Sequence, residues 1–211
     1  MSAPRPSLAL PGVLLLALAA GCRHAPAAPA SALVLQDLEG RQVAPLENPD
    51  GAAVCLFFLA PDCPISNVYA HEIVRIKNAY AARRIQTYLV YSDDAFTVAD
   101  VRRHTADFDL TGEVLIDFDG ELATLVGATV TPEAAVWTPG AGLVYRGRID
   151  DLYVDFGKKR AQATTHDLRN ALDAVLAGRT PAVTRTRAIG CFLPPRGPGD
   201  DAAGEQGHGG T

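Results

Sequence analysis

The side chains best suited to chemistry in this sequence of 211 residues are its cysteines. Four are present: Cys22, Cys55, Cys63 and Cys191. Cys63 follows an apolar segment, residues 52–59, and precedes Pro64, a residue that is favoured in the first turn of a helix. The unpaired N–H groups and the dipole of a helix N-terminus stabilise a thiolate there. The sequence therefore predicts that Cys63 is a nucleophilic sulfur.

The other cysteines of the folded part have different expected roles. Cys55 lies inside the apolar segment, so we expect it to pack in the core and to resist alkylation. Cys191 follows the last predicted helix, where it is either a distal resolving thiol for Cys63 or part of a structural clip. With Cys22 set aside, three cysteines remain, and in an oxidising compartment an odd number leaves at least one thiol free unless it pairs between chains.

Hydrophobic patterning places these cysteines in the element order β-α-β-α-β-α-β-β-α. Residues 33–43 are predicted as a small hairpin or edge element. Strands are expected at residues 52–59, 85–91, 113–116, 134–138 and 143–149, and helices at 97–108, 119–126 and 166–176. The helix after Pro64 has a predicted apolar face formed by Ile65, Val68, Tyr69, Ile73, Ile76 and Tyr80.

The N-terminus reads as an export signal. Arg5 is followed by an apolar run from Leu8 to Ala20, which is short for a membrane-spanning helix. The run ends in Gly21-Cys22 and resembles the lipobox of bacterial lipoproteins, which implies a lipid anchor on Cys22. The alternative is a signal peptide cleaved nearby, with Cys22 incidental. Either way we expect an exported protein of the cell envelope, with its domain in the periplasm or outside the cell.

Composition sets the domain boundaries and excludes one class of partner. We predict the following segments: 1–22 signal peptide, 23–32 flexible tether, 33–181 the domain, 182–193 a C-terminal extension carrying Cys191, and 194–211 a disordered tail. Removal of residues 1–22 leaves 18 basic and 24 acidic residues, a net charge of −6. Nucleic-acid binding needs a basic face, so we do not expect it.

The segment around Cys63 resembles the active site of the thioredoxin-like superfamily. Ser66 occupies the second position of the Cys-x-x-Cys motif, giving Cys-x-x-Ser. Thr131-Pro132 resembles the cis-proline that faces the active-site cysteine in that superfamily. The resemblance implies an α/β thioredoxin-like fold, a single domain with a central mixed sheet flanked by helices. We expect the Cys63 sulfur to be open to solvent and close to Pro132.

More narrowly, residues 33–191 resemble bacterial redoxin-domain proteins of the alkyl hydroperoxide reductase and thiol-specific antioxidant group. The resemblance rests on residues 62–67, 131–134, 145–151 and 190–191. Typical peroxiredoxins have Pro-x-x-x-Thr-x-x-Cys, and here Leu56 and Ala60 replace the proline and threonine. The resemblance implies a thiol-dependent oxidoreductase acting on a protein thiol or disulfide, or on a small thiol reductant. The alternatives are a weak thiol peroxidase and a non-catalytic binding module.

The charged residues near these motifs have two interpretations each. Arg146 and Arg148 alternate with apolar residues of a strand, which is typical of a solvated face; alternatively one of them, with Arg148 our candidate, reaches the Cys63 pocket. Asp62 either caps the helix or opposes the thiolate, and Asp150-Asp151 is a turn or an ion-pair partner. The histidines show no metal-ligand spacing, so we expect no metal and no cofactor.

Overall fold

The computed structural model describes residues 33–47 and 51–195. The helices are α1 (Pro64–Ala81), α2 (Val98–Asp107), α3 (Glu121–Val126) and α4 (Asp167–Leu176). The strands are β1 (Leu35–Gln36), β2 (Gln42–Val43), β3 (Ala53–Phe58), β4 (Ile85–Tyr91), β5 (Glu113–Ile116), β6 (Val130–Thr131), β7 (Glu133–Thr138), β8 (Gly142–Gly147), β9 (Tyr153–Asp155), β10 (Lys158–Lys159) and β11 (Cys191–Phe192). The predicted signal peptide with Cys22, the predicted tether and residues 196–211 of the predicted tail lie outside the described residues.

A mixed seven-stranded sheet forms the centre of the domain, in the order β2-β1-β5-β4-β3-β7-β8. β3 pairs in parallel with β4 and antiparallel with β7, and β4 pairs in parallel with β5. All six residues of β3 are buried. An unbroken apolar strand is the expected sequence for a position covered on both faces of a sheet.

Alternation along β3 divides the core into two layers. Cys55 and Phe57 belong to a cluster that includes the buried faces of α1 and α4. Leu56 and Phe58 belong to a second cluster on the opposite face, which contains Leu122 of α3. Because successive side chains of a strand point to opposite faces, one strand anchors both layers. The predicted α/β class, with a mixed sheet flanked by helices, is confirmed.

The predicted helices and long strands agree with the structure to within a few residues. Thr97 caps α2 and forms a reciprocal capping box with Asp100. One residue of the predicted apolar face of α1 is wrong: Val68 is 43% exposed, whereas Ser66 and Ala70 are buried. The buried stripe is therefore rotated away from Val68. No helix among the described residues is long and apolar enough to cross a membrane.

Residues 182–193, which we call the strap, follow α4 and bind the body of the domain twice. The Arg146 N–H donates to the Thr184 carbonyl at 3.0 Å, and the Thr186 N–H donates to the Arg146 carbonyl at 3.1 Å, so the strap first runs alongside β8. It then forms β11, which pairs antiparallel with β6. The strap thereby returns Cys191 to the centre of the molecule.

Candidate active site

Cys63 is the N-cap residue of α1, and Pro64 is the first residue of the helix. The Cys63 N–H donates to the Ala60 carbonyl at 3.2 Å, which closes the turn after β3. The Cys63 carbonyl accepts the Asn67 N–H at 3.1 Å, the first hydrogen bond of the helix. The sulfur thus lies in the tight turn between the buried strand β3 and the start of α1, as the sequence pattern indicates.

The loop that carries Pro132 lies directly against this sulfur. The Thr131–Pro132 peptide bond is cis. The Cys63 Sγ donates a hydrogen bond to the Thr131 carbonyl oxygen at 3.0 Å. The structure therefore brings together Cys63, Thr131 and Pro132, three of the predicted site residues, although 68 positions separate Cys63 from Thr131 in sequence.

The expectation that the Cys63 sulfur is open to solvent is wrong. Cys63 has 0% exposed surface. The strap covers it, because β11 pairs with β6 in the register that sets Cys191 opposite Thr131. Gly190 makes this close approach possible, since a Cβ at that position would clash with the Thr131 carbonyl. The sulfur is covered by a segment whose own cysteine lies over it.

Cys63 and Cys191 are both free thiols in this structure, and they interact. The register of β11 and β6 sets Cys191 opposite Thr131, whose carbonyl oxygen accepts the Cys63 thiol, so the two cysteines are neighbours. Cys191 is partly exposed, in contrast to Cys63. The strap therefore folds back towards Cys63.

The surroundings of Cys63 favour its thiolate. Burial by itself raises the pKa of the thiol. Hydrogen bonds from the Cys191 thiol, from the N–H and hydroxyl of Ser66 and from the Thr131 hydroxyl outweigh that effect, so the pKa is lowered. In the thiol form the Ser66 and Thr131 hydroxyls are buried with no hydrogen-bond partner among the described residues. Both are therefore available to donate to the anion.

The pKa values of Cys191 and Cys55 are raised, in contrast to that of Cys63. Burial and the adjacent Cys63 sulfur, with the charge of Asp62, raise the pKa of Cys191 to about 12. Cys55 is fully buried in β3, and burial raises its pKa far above the ordinary value. The packing role predicted for Cys55 agrees with this environment. The interpretation of Asp62 as a helix cap is wrong, because Cys63 itself is the N-cap residue.

Sequence reasoning missed a buried polar chain beside the site. The Tyr91 hydroxyl lies 2.7 Å from His104 Nδ1, and His104 Nε2 lies 2.8 Å from Asn67 Oδ1. Since the Oδ1 of an amide only accepts, Nε2 carries the proton and Nδ1 accepts from the tyrosine. Burial lowers the pKa of His104, which fits a neutral ring. Asn67 Nδ2 donates in turn to the Pro61 carbonyl at 3.5 Å, so the chain ends on the Cys63 turn.

The two arginines of the predicted strand have carboxylate partners. Arg148 Nε lies 2.7 Å from Asp167 Oδ2 at the start of α4, and the Arg148 N–H donates to the Thr186 hydroxyl of the strap. Arg146 Nε lies 3.4 Å from Glu133, with only 12% of the arginine side chain exposed. The prediction of a solvated face is therefore wrong for Arg146. These contacts give Arg148 a structural role, namely holding the strap and α4 against β8.

Asp150 and Asp151, which follow β8, are buried and stabilise the loop after that strand. The Asp150 carboxylate accepts the Tyr69 hydroxyl at 2.6 Å. The Asp151 carboxylate lies 3.3 Å from Arg160 Nε. The alternative of an ion-pair partner thus applies to Asp151, whereas Asp150 is held by a neutral donor.

The positions that carry the peroxide-binding residues in peroxiredoxins offer no hydroxyl here. Leu56 lies in the second core cluster and Ala60 is 5% exposed. Metal chemistry has no visible donor set either: within residues 33–47 and 51–195, no group of three or more His, Cys, Asp or Glu residues is placed to hold a metal ion. The reactive groups at this site are thiols and hydroxyls.

The sheet order, the flanking helices and the cis-proline opposite an N-cap cysteine define a thioredoxin-like fold. No protein-family model and no curated protein matches the chain. Among solved structures, it is similar to a hypothetical protein of Sinorhizobium meliloti 1021, with 28% identity over 76% of this chain and 89% of that chain and a TM-score of 0.67.

Two further solved structures share the fold. An uncharacterized conserved protein of Geobacillus kaustophilus is 24% identical over 76% of this chain and 86% of that chain, with a TM-score of 0.64. A protein of Neisseria meningitidis designated "Putative Thioredoxin" is 20% identical over 69% of this chain and 87% of that chain, with a TM-score of 0.52. The thioredoxin-like fold expected from the sequence is thereby confirmed.

Proposed function

We propose that the protein is a thiol-dependent oxidoreductase in which Cys63 and Cys191 alternate between a dithiol and an internal disulfide. One observation carries the proposal: two free thiols are neighbours beside cis-Pro132, because Cys191 pairs with Thr131 and the Thr131 carbonyl accepts the Cys63 thiol. A buried thiol that only fills space needs no such arrangement, as Cys55 shows. The acidified Cys63 sulfur is the nucleophile that closes the internal disulfide, and Cys191 is the second sulfur of the pair.

The reaction that fits this pair is thiol-disulfide exchange. When the pair is oxidised, one S–S bond forms between Cys63 and Cys191, and two electrons and two protons pass to the partner's disulfide, which becomes two thiols. Ser66 and Thr131 donate their hydroxyls to the Cys63 thiolate whenever it forms. Pro132 holds the Thr131 carbonyl in contact with the sulfur.

The strap supplies what the Cys-x-x-Ser sequence lacks. Ser66 cannot form a disulfide, but Cys191 reaches the same sulfur from the other end of the chain. The absence of a hydroxyl at Ala60 favours disulfide exchange over peroxide reduction, because no side chain at that position can bind the peroxide. The motifs quoted from the sequence support our proposal that the protein belongs to the redoxin group, with disulfide exchange as its reaction.

The sequence upstream of the domain supports a location for this chemistry. We propose that residues 1–22 direct export and that Cys22 carries a lipid, so that the domain works in the cell envelope. Disulfides persist in such oxidising compartments. The partners there would be protein thiols or disulfides, or a small thiol reductant.

Oxidation of the purified domain with glutathione disulfide tests the proposal. After acid quench and alkylation, non-reducing peptide mapping should show a Cys63–Cys191 cross-link in the wild type and in Cys55→Ala. It should be absent from Cys63→Ser and Cys191→Ser, and both variants should lose turnover of a disulfide peptide in the presence of dithiothreitol. If the wild type forms no cross-link and Cys63→Ser keeps full exchange activity, the site is a non-catalytic binding module.

A further inference from the structure

We propose that an external thiol attacks the oxidised protein at Cys191, not at Cys63, and that Cys63 is the sulfur that leaves. The proposal rests on the proposed function, because it requires the Cys63–Cys191 disulfide. It reverses the roles expected from the motif, in which the N-cap cysteine receives the partner. It also specifies the partner as a dithiol.

Access to the two sulfurs is unequal. Cys63 has no exposed surface and belongs to the core cluster between the sheet and α1. Cys191 is partly exposed, and the next residue, Phe192, is 82% exposed. A thiolate approaches a disulfide along the S–S axis, opposite to the sulfur that leaves. Because Cys191 has exposed surface and Cys63 has none, a thiolate from solution can reach Cys191 but not Cys63.

The two sulfurs are also unequal as leaving groups. In thiol-disulfide exchange the sulfur with the lower pKa leaves faster. The pKa of Cys63 is lowered by its hydrogen bonds, while burial and its neighbours raise that of Cys191 to about 12. The expelled Cys63 thiolate remains in the site where Ser66 and Thr131 donate to it. Both the exposure and the pKa values therefore make Cys191 the sulfur that is attacked and Cys63 the sulfur that leaves.

The balanced sequence has two exchanges. A partner thiolate forms an S–S bond with Cys191, the Cys63–Cys191 bond breaks, and Cys63 takes the electron pair as a thiolate. A second partner thiolate then attacks the partner sulfur of this mixed disulfide, and Cys191 leaves and takes a proton. The partner loses two electrons and two protons as its two thiols become a disulfide; one proton goes to Cys191 and the other to the solvent or to Cys63.

The adjacent thiolate explains why the partner must be a dithiol. In the mixed disulfide, Cys63 remains beside Cys191 and can attack it to regenerate the internal bond and release the partner. With a monothiol, a second molecule from solution must attack the mixed disulfide before Cys63 does. A dithiol carries its second thiolate with it at high effective concentration, so it completes the reduction.

The experiment maps the first point of attack. Protein shown beforehand to contain the Cys63–Cys191 cross-link is mixed with excess glutathione, acid-quenched within milliseconds to seconds, alkylated and digested. We expect glutathione on Cys191 and the alkyl group on Cys63. Glutathione on Cys63 would overturn the proposal. A protein that never forms the cross-link fails the proposed function at the preceding step, so the two failures are distinct.

A second measurement applies even when the mixed disulfide does not accumulate. Ser66→Ala removes a donor to the departing Cys63 thiolate, so the rate of disulfide reduction by dithiothreitol should fall several-fold. An unchanged rate would mean that Cys191 leaves instead, which contradicts the proposal. At equal thiolate concentration, dithiothreitol should reduce the wild type at least tenfold faster than 2-mercaptoethanol. Equal rates would overturn the assignment of a dithiol partner.

Discussion

The middle of β3 and the turn between β3 and α1 each hold a buried cysteine, and the two environments shift the thiol pKa in opposite directions. Cys55 and Cys63 both have 0% exposed surface. Cys55 is surrounded by the apolar core, and burial raises its pKa. Cys63 is equally covered, yet its pKa is lowered, because donors from α1, from the Thr131 loop and from the strap converge on it.

In this molecule the exposure of a thiol does not determine the direction of its pKa shift; the hydrogen-bond donors around it do. Burial disfavours the charged form of any group that has no compensating partners. At Cys63 the chain supplies these partners, in the turn between β3 and α1. His104 follows the rule of Cys55: burial disfavours its charged form, so its pKa is lowered.

The largest expected effect comes from detaching the strap. Gly190→Ala adds a Cβ that would clash with the Thr131 carbonyl, so β11 can no longer seat Cys191 over Cys63. We expect the rate of internal disulfide formation to fall at least about a hundredfold. The reason is that Cys191 would remain connected to the domain by the chain but would no longer be held beside Cys63. Stopped-flow oxidation with glutathione disulfide measures this rate.

The matched control for that variant is Gly140→Ala. A Cβ at Gly140 meets nothing within 4 Å, so the rate should equal that of the wild type. If Gly190→Ala forms the internal disulfide as fast as the control, the strap does not determine how the two sulfurs meet.

A smaller effect should follow from removing one donor to the sulfur. Thr131→Val keeps the shape of the side chain but loses the hydroxyl that lowers the pKa of Cys63. A hydrogen bond to a charged group contributes about 1.5–3 kcal/mol, so the acid dissociation constant of Cys63 should fall about ten- to a hundredfold. Titration of the thiolate absorbance near 240 nm reports it. Thr131→Ser keeps the hydroxyl and should titrate like the wild type. Identical curves for all three proteins would show that the hydroxyl does not stabilise the Cys63 thiolate.

The histidine chain predicts a modest effect on the pH dependence of stability. In the unfolded chain His104 takes a proton below its ordinary pKa of 6.5, whereas burial lowers the pKa in the folded protein. The unfolded state therefore binds more protons between the two values, and the free energy of unfolding decreases as pH falls below about 6.5. At pH 5.5 this contribution is at most about 1.4 kcal/mol.

His104→Gln removes that titration while keeping a polar side chain. Urea unfolding at pH 7.5 and pH 5.5 should show a smaller loss of stability on acidification in the variant than in the wild type. An equal loss in both proteins would show that His104 is already charged in the folded state.

The smallest effect on exchange is expected at Cys55. Cys55→Ala leaves a small void in β3 and should lower the free energy of unfolding by about 1 kcal/mol. The rate of exchange should not change, because Cys55 lies inside β3, where its partners are Thr87 and Val136 of the neighbouring strands. Parallel urea titration and exchange assays test both points, and a loss of exchange without a loss of stability would contradict the inert role of this thiol.

Local sequence signals were sufficient for the elements that position Cys63. The apolar run of β3, the Pro64 helix start and the spacing of the α1 core residues are all short-range patterns. The four strands β6, β9, β10 and β11 were not predicted, because each has only two or three residues and periodicity needs longer segments. They form only where tertiary contacts support them.

The candidate site was accessible to sequence reasoning only in part. The cis Thr131–Pro132 bond and its nearness to Cys63 followed from the resemblance, since the motif specifies them together. The burial of Cys63 did not, because it depends on β11 pairing with β6 from far along the chain. The partners of Arg148 and His104 also come from distant segments, and no local pattern around those residues indicates them.

The strap has a second consequence, at the boundary of the sheet. β8 is the last strand on its side, and an uncovered outer strand is a template for pairing with other molecules. Residues 184–186 occupy part of that hydrogen-bonding row at Arg146. The segment that sets Cys191 beside Cys63 therefore also covers part of the outer strand, so the cysteine site and the protection of the sheet against intermolecular association depend on one structural element.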